Sequence, residues 1–283
     1  MNSSNGYEIR IATRTELDIV IDWAADEGWN PGIDDGDCFY AADPQGYLVG
    51  CLKDAPVAYI SVVRYGESFG FLGLYIVHPD HRGKGYGLQI WNAGIESLGR
   101  RIVGLDGVLA EQGNYAKSGF NLVQRNIRFG GRVDVATPDD AGLIPIEDDI
   151  LNDVLAYDRP FFADDRAAFL RCWLQPGKRQ GLALVRDGMI AGYGVIRRCR
   201  EGFKIGPLFA DDEKGADILF QGLAAKAGSG MIYLDPPEPN APAIALAARY
   251  GLEPVFETAR MYKNGQPDLP TARTFGITTF ELG

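Results

Sequence analysis

Apolar and polar positions along the chain switch repeatedly between a two-residue and a 3.6-residue period. Residues 8–11 alternate as a short opening strand. Thr15 is placed to cap a helix whose apolar positions Leu17, Val20, Ile21 and Ala24 recur at helical spacing. A Gly/Asp-rich connection over 28–37 leads to three strand-like runs, 46–52, 57–64 and 69–77. Lys53-Asp54-Ala55-Pro56 turns between the first two, and Tyr65-Gly66-Glu67 between the next. Hairpins feeding a helix predict a mixed sheet. After a glycine-rich loop, Leu88, Trp91, Ile95 and Leu98 share a helical face that ends near Gly99. A strand over 104–109, a short helix over 114–118 and a strand over 121–129 complete the unit, which Gly130-Gly131 closes.

The second half repeats this order. Helical segments over 150–173 precede strands at 182–186, 190–197 and 203–209; a helix over 217–227, a strand at 231–234, a helix over 241–250 and a strand over 255–262 follow. The junction Tyr115-Ala116-Lys117-Ser118-Gly119-Phe120 is echoed by Ala247-Ala248-Arg249-Tyr250-Gly251-Leu252. A helix, a glycine C-cap and a strand can recur by chance. Repetition of the whole element order favours an internal duplication. The expected division is a first domain over 1–131, an Asp/Pro-rich linker over 132–149 and a second domain over 150–283, in keeping with a chain longer than one core usually supports.

Composition narrows the function classes. The start, residues 1–10, is polar and unlike a signal peptide, and no run nears the about 18–20 apolar residues that span a bilayer. A soluble, cytoplasmic protein is expected. The net charge of −10 disfavours nucleic acid or an anionic membrane as partner and suits a cationic substrate, although acidity also simply favours solubility. The four cysteines, Cys38, Cys51, Cys172 and Cys199, lack metal-ligand spacing and read as reduced thiols. Only two histidines occur, His78 and His81, both in one loop, so a metal site or a Ser-His-Asp triad has little raw material.

The chemistry concentrates in Leu74-Tyr75-Ile76-Val77-His78-Pro79-Asp80-His81-Arg82-Gly83-Lys84-Gly85-Tyr86-Gly87-Leu88. An apolar strand stops at a proline, and a basic loop with alternating glycines then opens a helix. Glycines let the backbone bring N–H groups close to a ligand. The free N–H groups and positive dipole end of a helix favour phosphate oxygens. The order is neither the G-x-G-x-x-G of dinucleotide folds nor a P-loop, because Lys84 is followed by Gly85.

This segment resembles motif A of the GNAT acetyltransferases, V-x-P-x-x-R-G-x-G-x-G, which Val77, Pro79, Arg82, Gly83, Gly85 and Gly87 satisfy. The resemblance implies an α/β (α+β) fold with a mixed, mostly antiparallel sheet whose fourth and fifth strands splay apart. It implies acetyl-CoA as cosubstrate and no metal. It assigns the diphosphate to the N–H groups of Arg82, Gly83, Lys84, Gly85, Tyr86, Gly87 and Leu88. The pantetheine goes to the backbone of Tyr75, Ile76 and Val77, and Asn114 joins the cofactor-binding set. The family's Tyr-x-x-x-Gly-Phe is similar to Tyr115 through Phe120, which implies Tyr115 as the acid that protonates the departing thiolate; an aromatic packing role is the alternative.

An amine must be neutral to attack, and stripping an alkylammonium of its proton at pH 7 costs roughly 4–5 kcal/mol. The family often places a glutamate on its fourth strand, but this strand offers Gly70, Gly73 and no acid. Asp106 and Glu111 are the nearest candidates for the base, with His78 and His81 less suitably placed. In the second half, Pro207 through Gly215 lacks the glycines and carries three acids, which would repel a diphosphate. That arrangement resembles the YitH-type proteins, in which a degenerate acetyltransferase-like domain follows an intact one. The degenerate half is expected to wall the substrate end, with Asp235 and Glu238 meeting a cationic acceptor or simply forming a rigid turn. The expected activity is N-acetylation of a small cationic amine by a monomer or homodimer; the alternative is an inactive acyl-CoA-binding sensor.

Overall fold

The computed structural model describes residues 6–283; residues 1–5, part of the polar start, lie outside it. Thr13, not Thr15, caps the first helix: its side chain accepts from the Glu16 N–H while Glu16 reaches back to the Thr13 N–H. The first half runs β1 (Tyr7–Ile11), α1 (Arg14–Asp26), α2 (Asp35–Ala42), β2 (Tyr47–Leu52), β3 (Ala55–Tyr65), β4 (Phe69–Val77), α3 (Tyr86–Leu98), β5 (Ile102–Val108), α4 (Gln112–Lys117) and β6 (Asn121–Arg132). The second runs β7 (Leu143–Pro145), α5 (Leu151–Asp158), α6 (Ala167–Trp173), β8 (Arg179–Arg186), β9 (Met189–Arg198), β10 (Phe203–Ala210), α7 (Glu213–Ala225), β11 (Met231–Leu234), α8 (Ala241–Arg249), β12 (Glu253–Lys263) and β13 (Thr274–Gly276).

All the strands join one mixed sheet in the order β1-β2-β3-β4-β5-β12-β6-β11-β10-β9-β8-β7, with β13 beside β10. Read inward from either end, the two halves have the same plan. Each is a set of five strands completed by a strand from the other half: β12 borders β5, and β6 borders β11. The two exchanged strands pair with each other through the middle, where Thr258 faces Asn126. Each half has one parallel pair among its named strands, β4 with β5 and β10 with β11.

Three further readings from the sequence change. Gly130-Gly131 does not close the first unit; β6 continues through both glycines to Arg132. A side chain at Gly130 would place its Cβ 2.7 Å from the Tyr233 ring on β11, so glycine is what lets the halves join there. Part of the Gly/Asp-rich connection is the start of α2, whose Asp35 is buried against Arg179 and Arg197. Cys38 of α2 and Cys172 of α6 are not reduced thiols. These matching helices of the two halves pack side by side, their Cα atoms are 5.2 Å apart and the sulfurs are bonded. Cys51 and Cys199 are free and buried.

The core forms on both faces of the sheet. Ile90, Trp91 and Leu98 of α3 pack on Ile60, Val62, Leu72 and Leu105, while Leu219, Phe220 and Leu223 of α7 pack on Ile205, Leu208 and Ile232. On the opposite face, α1, α2, α5 and α6 share one core built around Phe39, Phe169 and Trp173. No helix of the described residues is long and apolar enough to cross a membrane.

Candidate active site

Strand β4 fits the predicted 69–77 and then separates from β5. Parallel pairing runs from Phe69 with Ile102 to Leu72 with Leu105 and stops. Past that point β4 bulges against β3 between Tyr59 and Ser61, and Leu74 takes a φ of +44°, a value rare for a side chain of its size. The bulge swings 75–77 away from β5 and leaves the edge of β4 that faces β5 without a strand partner. An extended chain of amides can bond to such an edge as another strand would.

The loop beyond the strand is shaped by Arg82, whose Nε donates to the Val77 carbonyl at 2.9 Å and whose guanidinium pairs with Glu27. Lys84 Nζ donates to the Asp80 carbonyl at 2.6 Å. Gly83 and Gly85 take φ values of +74° and +84°, and Gly85 caps α3. Among the described residues, no N–H from Gly83 to Leu88 donates to another residue; Gln89, bonded to the Gly85 carbonyl at 3.3 Å, is the first in α3 to do so. Gly87 keeps the groove narrow, since a Cβ there would come within 2.7 Å of the Tyr75 hydroxyl.

A cavity of about 520 Å³ joins this cradle to the splay. Tyr75, Ile76, Val77, Arg82, Gly83, Gly85, Gly87 and Leu88 line it at the cradle end, and Tyr115, Asp106 and Glu111 farther in. Lys84, Tyr86 and Asn114 are not in its lining; Tyr86 stacks on Tyr7 with centroids 4.6 Å apart, and Asn114 Nδ2 donates to Glu111 at 2.7 Å. Tyr115 is buried against Trp91, ring centroids 5.5 Å apart, and its hydroxyl bonds to no described residue. Burial, reinforced by the Glu111 carboxylate and Tyr75, raises its pKa well above the ordinary tyrosine value, so it carries its proton at neutral pH.

The acidic candidates separate. Asp106 has a fully buried side chain and is held by Arg260 of β12 at 2.8 and 2.5 Å, with Asn126 Nδ2 donating at 2.8 Å. Asp235 is its counterpart in the other half, gripped by Arg128 of β6 at 2.8 Å through both oxygens, and it does not reach the cavity. Burial pushes the Asp235 pKa up, but Arg128, with Lys204 and Arg197, more than offsets this and holds it below the usual range. Glu238 is exposed and also stands outside the cavity. Both residues expected to meet the acceptor are therefore placed elsewhere, because the turn they share packs against β6 and not over β4.

The wall at that end comes instead from Trp29, Phe256, Thr258, Phe280 and Glu281. Sequence reasoning had assigned none of these to the site. Arg128 stands behind two of them, its guanidinium 4.6 Å from the Phe280 ring centre and 5.8 Å from that of Phe256. Asp235 thus supports the wall from behind.

In the second half the equivalent splay is filled from within. β10 and β11 pair only from Phe203 to Ile205, and β13 lies against Leu208 and Phe209 beyond that point. At the entry to α7 the Asp212 carboxylate accepts the Gly215 N–H at 2.7 Å. A strand thus fills the second splay, and a carboxylate takes up an N–H at the mouth of its helix.

Comparison with known proteins agrees. Residues 17–120 match the model of the acetyltransferase (GNAT) family, and residues 154–276 match a second acetyltransferase (GNAT) domain model. A relative, holothin acyltransferase from Pseudoalteromonas sp. (strain SANK 73390), is 32% identical over 286 residues, covering 100% of this chain and 97% of its own. The chain belongs to the GNAT acetyltransferases. It is an acyltransferase of the tandem kind, in a family that uses acetyl-CoA as cosubstrate. Among solved structures, a candidate acetyltransferase from Pyrococcus horikoshii shares the fold at a TM-score of 0.85 and 22% identity, covering 100% of this chain and 98% of that one. A tandem GNAT protein from the clavulanic acid biosynthesis pathway does so at 0.63 and 16%, covering 93% and 100%.

Proposed function

We propose that the first half binds acetyl-CoA in the splay and loop described above and transfers its acetyl group to the primary amine of a small cationic molecule. The observation that carries the reading is the run of N–H groups from Gly83 to Leu88 with no partner among the described residues, at the mouth of α3 and next to the open edge of β4. Arg82, Gly83, Lys84, Gly85, Tyr86, Gly87 and Leu88 would hold the diphosphate. The backbone of Tyr75, Ile76 and Val77 would pair with the pantetheine. Tyr115, still protonated at neutral pH, would donate to the sulfur as the C–S bond breaks.

A small acceptor suits a cavity whose lining includes the aromatic residues Trp29, Phe256 and Phe280 together with Glu281. An ammonium on an apolar body suits both kinds of group. Asp106 and Glu111 play no direct part in this reading: one is committed to Arg260 and the other to Asn114. Incubating the protein with acetyl-CoA and a panel of amines, and reading free thiol, tests the proposal. Release of thiol that depends on an amine is expected; its absence with every amine, in protein that still binds acetyl-CoA, would refute it.

A further inference from the structure

The fourth strand has no acid, yet the amine must lose a proton. Gly73 stands on β4 one residue past the last pairing with β5, and the main chain of Glu281 lies directly on it: a Cβ at Gly73 would come within 2.3 Å of the Glu281 carbonyl oxygen. The strand lacks a side chain there, and a residue from the other half occupies the space. Glu281 is 5% exposed and lines the same cavity as Tyr115. Its carboxylate accepts no hydrogen bond from any described residue, and its oxygens keep some contact with solvent.

The other acids on the cavity are engaged: Glu27 by Arg82, Asp106 by Arg260 and Asn126, Glu111 by Asn114. The segment carrying Glu281 is firmly seated. The Tyr65 hydroxyl donates to the Leu282 carbonyl at 3.2 Å, and the Leu282 N–H donates to Thr279 Oγ1 at 3.0 Å. Its charge is felt nearby. Burial works against the charge on Arg128, which Asp235 and, less strongly, Glu281 sustain.

We infer that Glu281, carried onto Gly73 by the second half, is the catalytic residue that takes the proton from the acceptor amine. The inference rests on the proposed amine acetylation. As the nitrogen bonds to the thioester carbonyl carbon and the C–S bond breaks, one proton of the ammonium passes to the Glu281 carboxylate and from there to water. A second passes to the departing sulfur from Tyr115, which regains it from the nitrogen. Amide, thiol and one released proton balance the ammonium and the thioester.

The test compares the wild type with Glu281→Gln and Glu281→Asp, using acetyl-CoA and whichever alkylamine of the panel the wild type acetylates best. Glu281→Gln is expected to lower kcat at least about 100-fold while the acetyl-CoA Kd stays within about twofold, and Glu281→Asp is expected to restore part of the loss. A kcat within about threefold of wild type in Glu281→Gln would overturn the inference. So would a loss shared equally by kcat and acetyl-CoA affinity, or an Asp variant no better than Gln, since either marks a structural role. If the wild type binds acetyl-CoA but acetylates no amine, the proposed function itself fails and this inference falls with it. Activity in the wild type alongside an unimpaired Gln variant sinks only the inference.

Discussion

Asp106 and Arg260 face each other across the register of β5 and β12, joined by contacts of 2.5 and 2.8 Å, and they belong to different halves of the sequence. Asp235 and Arg128 repeat the arrangement on the other side of the exchanged strands. Each half thus lends an arginine to the other's buried aspartate. Both carboxylates are tied to their arginines, although an acid at the end of a strand beside a cleft has the look of a base.

Removing one partner from such a pair leaves a buried charge uncompensated. Arg260→Met is expected to destabilise the fold by about 3–5 kcal/mol, read by denaturant unfolding. Replacing both partners, as Asp106→Leu with Arg260→Met, should recover most of that loss. Equal stability of the single and double variants would show that the pair does not hold the halves together.

Gly85 tests the cradle directly. Its φ of +84° disfavours any residue with a Cβ by about 1–2 kcal/mol, yet nothing within 4 Å would clash with that Cβ. Gly85→Val should therefore keep the fold while disturbing the N–H groups and the space in front of them. Calorimetry is expected to show acetyl-CoA binding weakened at least about tenfold, or 1.4 kcal/mol. Because β13 fills the second splay, the wild type should titrate with one acetyl-CoA per chain.

The parts of the molecule legible in the sequence are those set by neighbouring residues. Strand β4 is an unbroken apolar run, Gly83 and Gly85 sit where the backbone turns left-handed, and Tyr115 follows from local spacing. What the sequence hid depends on distant partners. Helix α2 begins with Asp35-Gly36-Asp37, whose glycine weakens a helix in isolation, and is anchored by Asp35 against Arg179 and Arg197 of the other half. The exchange of β6 and β12 places Phe256 and Thr258 in the first half's cavity, and no periodicity within either half could show that. No local pattern around Glu281 marks it as a site residue. Its relevance comes from the absence of a side chain at Gly73, more than 200 positions away.

Lys204 is buried on β10, its Nζ donating to the Trp29 carbonyl at 3.2 Å. Burial first, and then Arg128, lower its pKa from the ordinary 10.5 to about 8. The folded state holds this proton less tightly than the unfolded chain, so between about 8 and 10.5 the unfolded chain binds more protons and stability rises with pH. Below that window the buried ammonium costs about 3 kcal/mol, at 1.36 kcal/mol per unit. Lys204→Met should be more stable than wild type at pH 7, and the difference should shrink as pH climbs towards 10. Parallel unfolding curves for the two proteins across that range would contradict the assignment.

Tyr115→Phe isolates the proton that goes to the sulfur. The ring keeps its stacking on Trp91, so packing and the acetyl-CoA Kd should be unchanged, while the only group lost is a hydroxyl held protonated by burial. Without it the thiolate must leave unprotonated or wait for water. The rate of amine acetylation under saturating acetyl-CoA is expected to fall about 100-fold. The loss should be smaller with an acyl donor whose leaving thiol is more acidic than that of CoA, because such a thiolate departs without a proton. An undiminished rate, or an equal loss with both donors, would remove Tyr115 from the chemistry and leave it a packing residue beneath the splay.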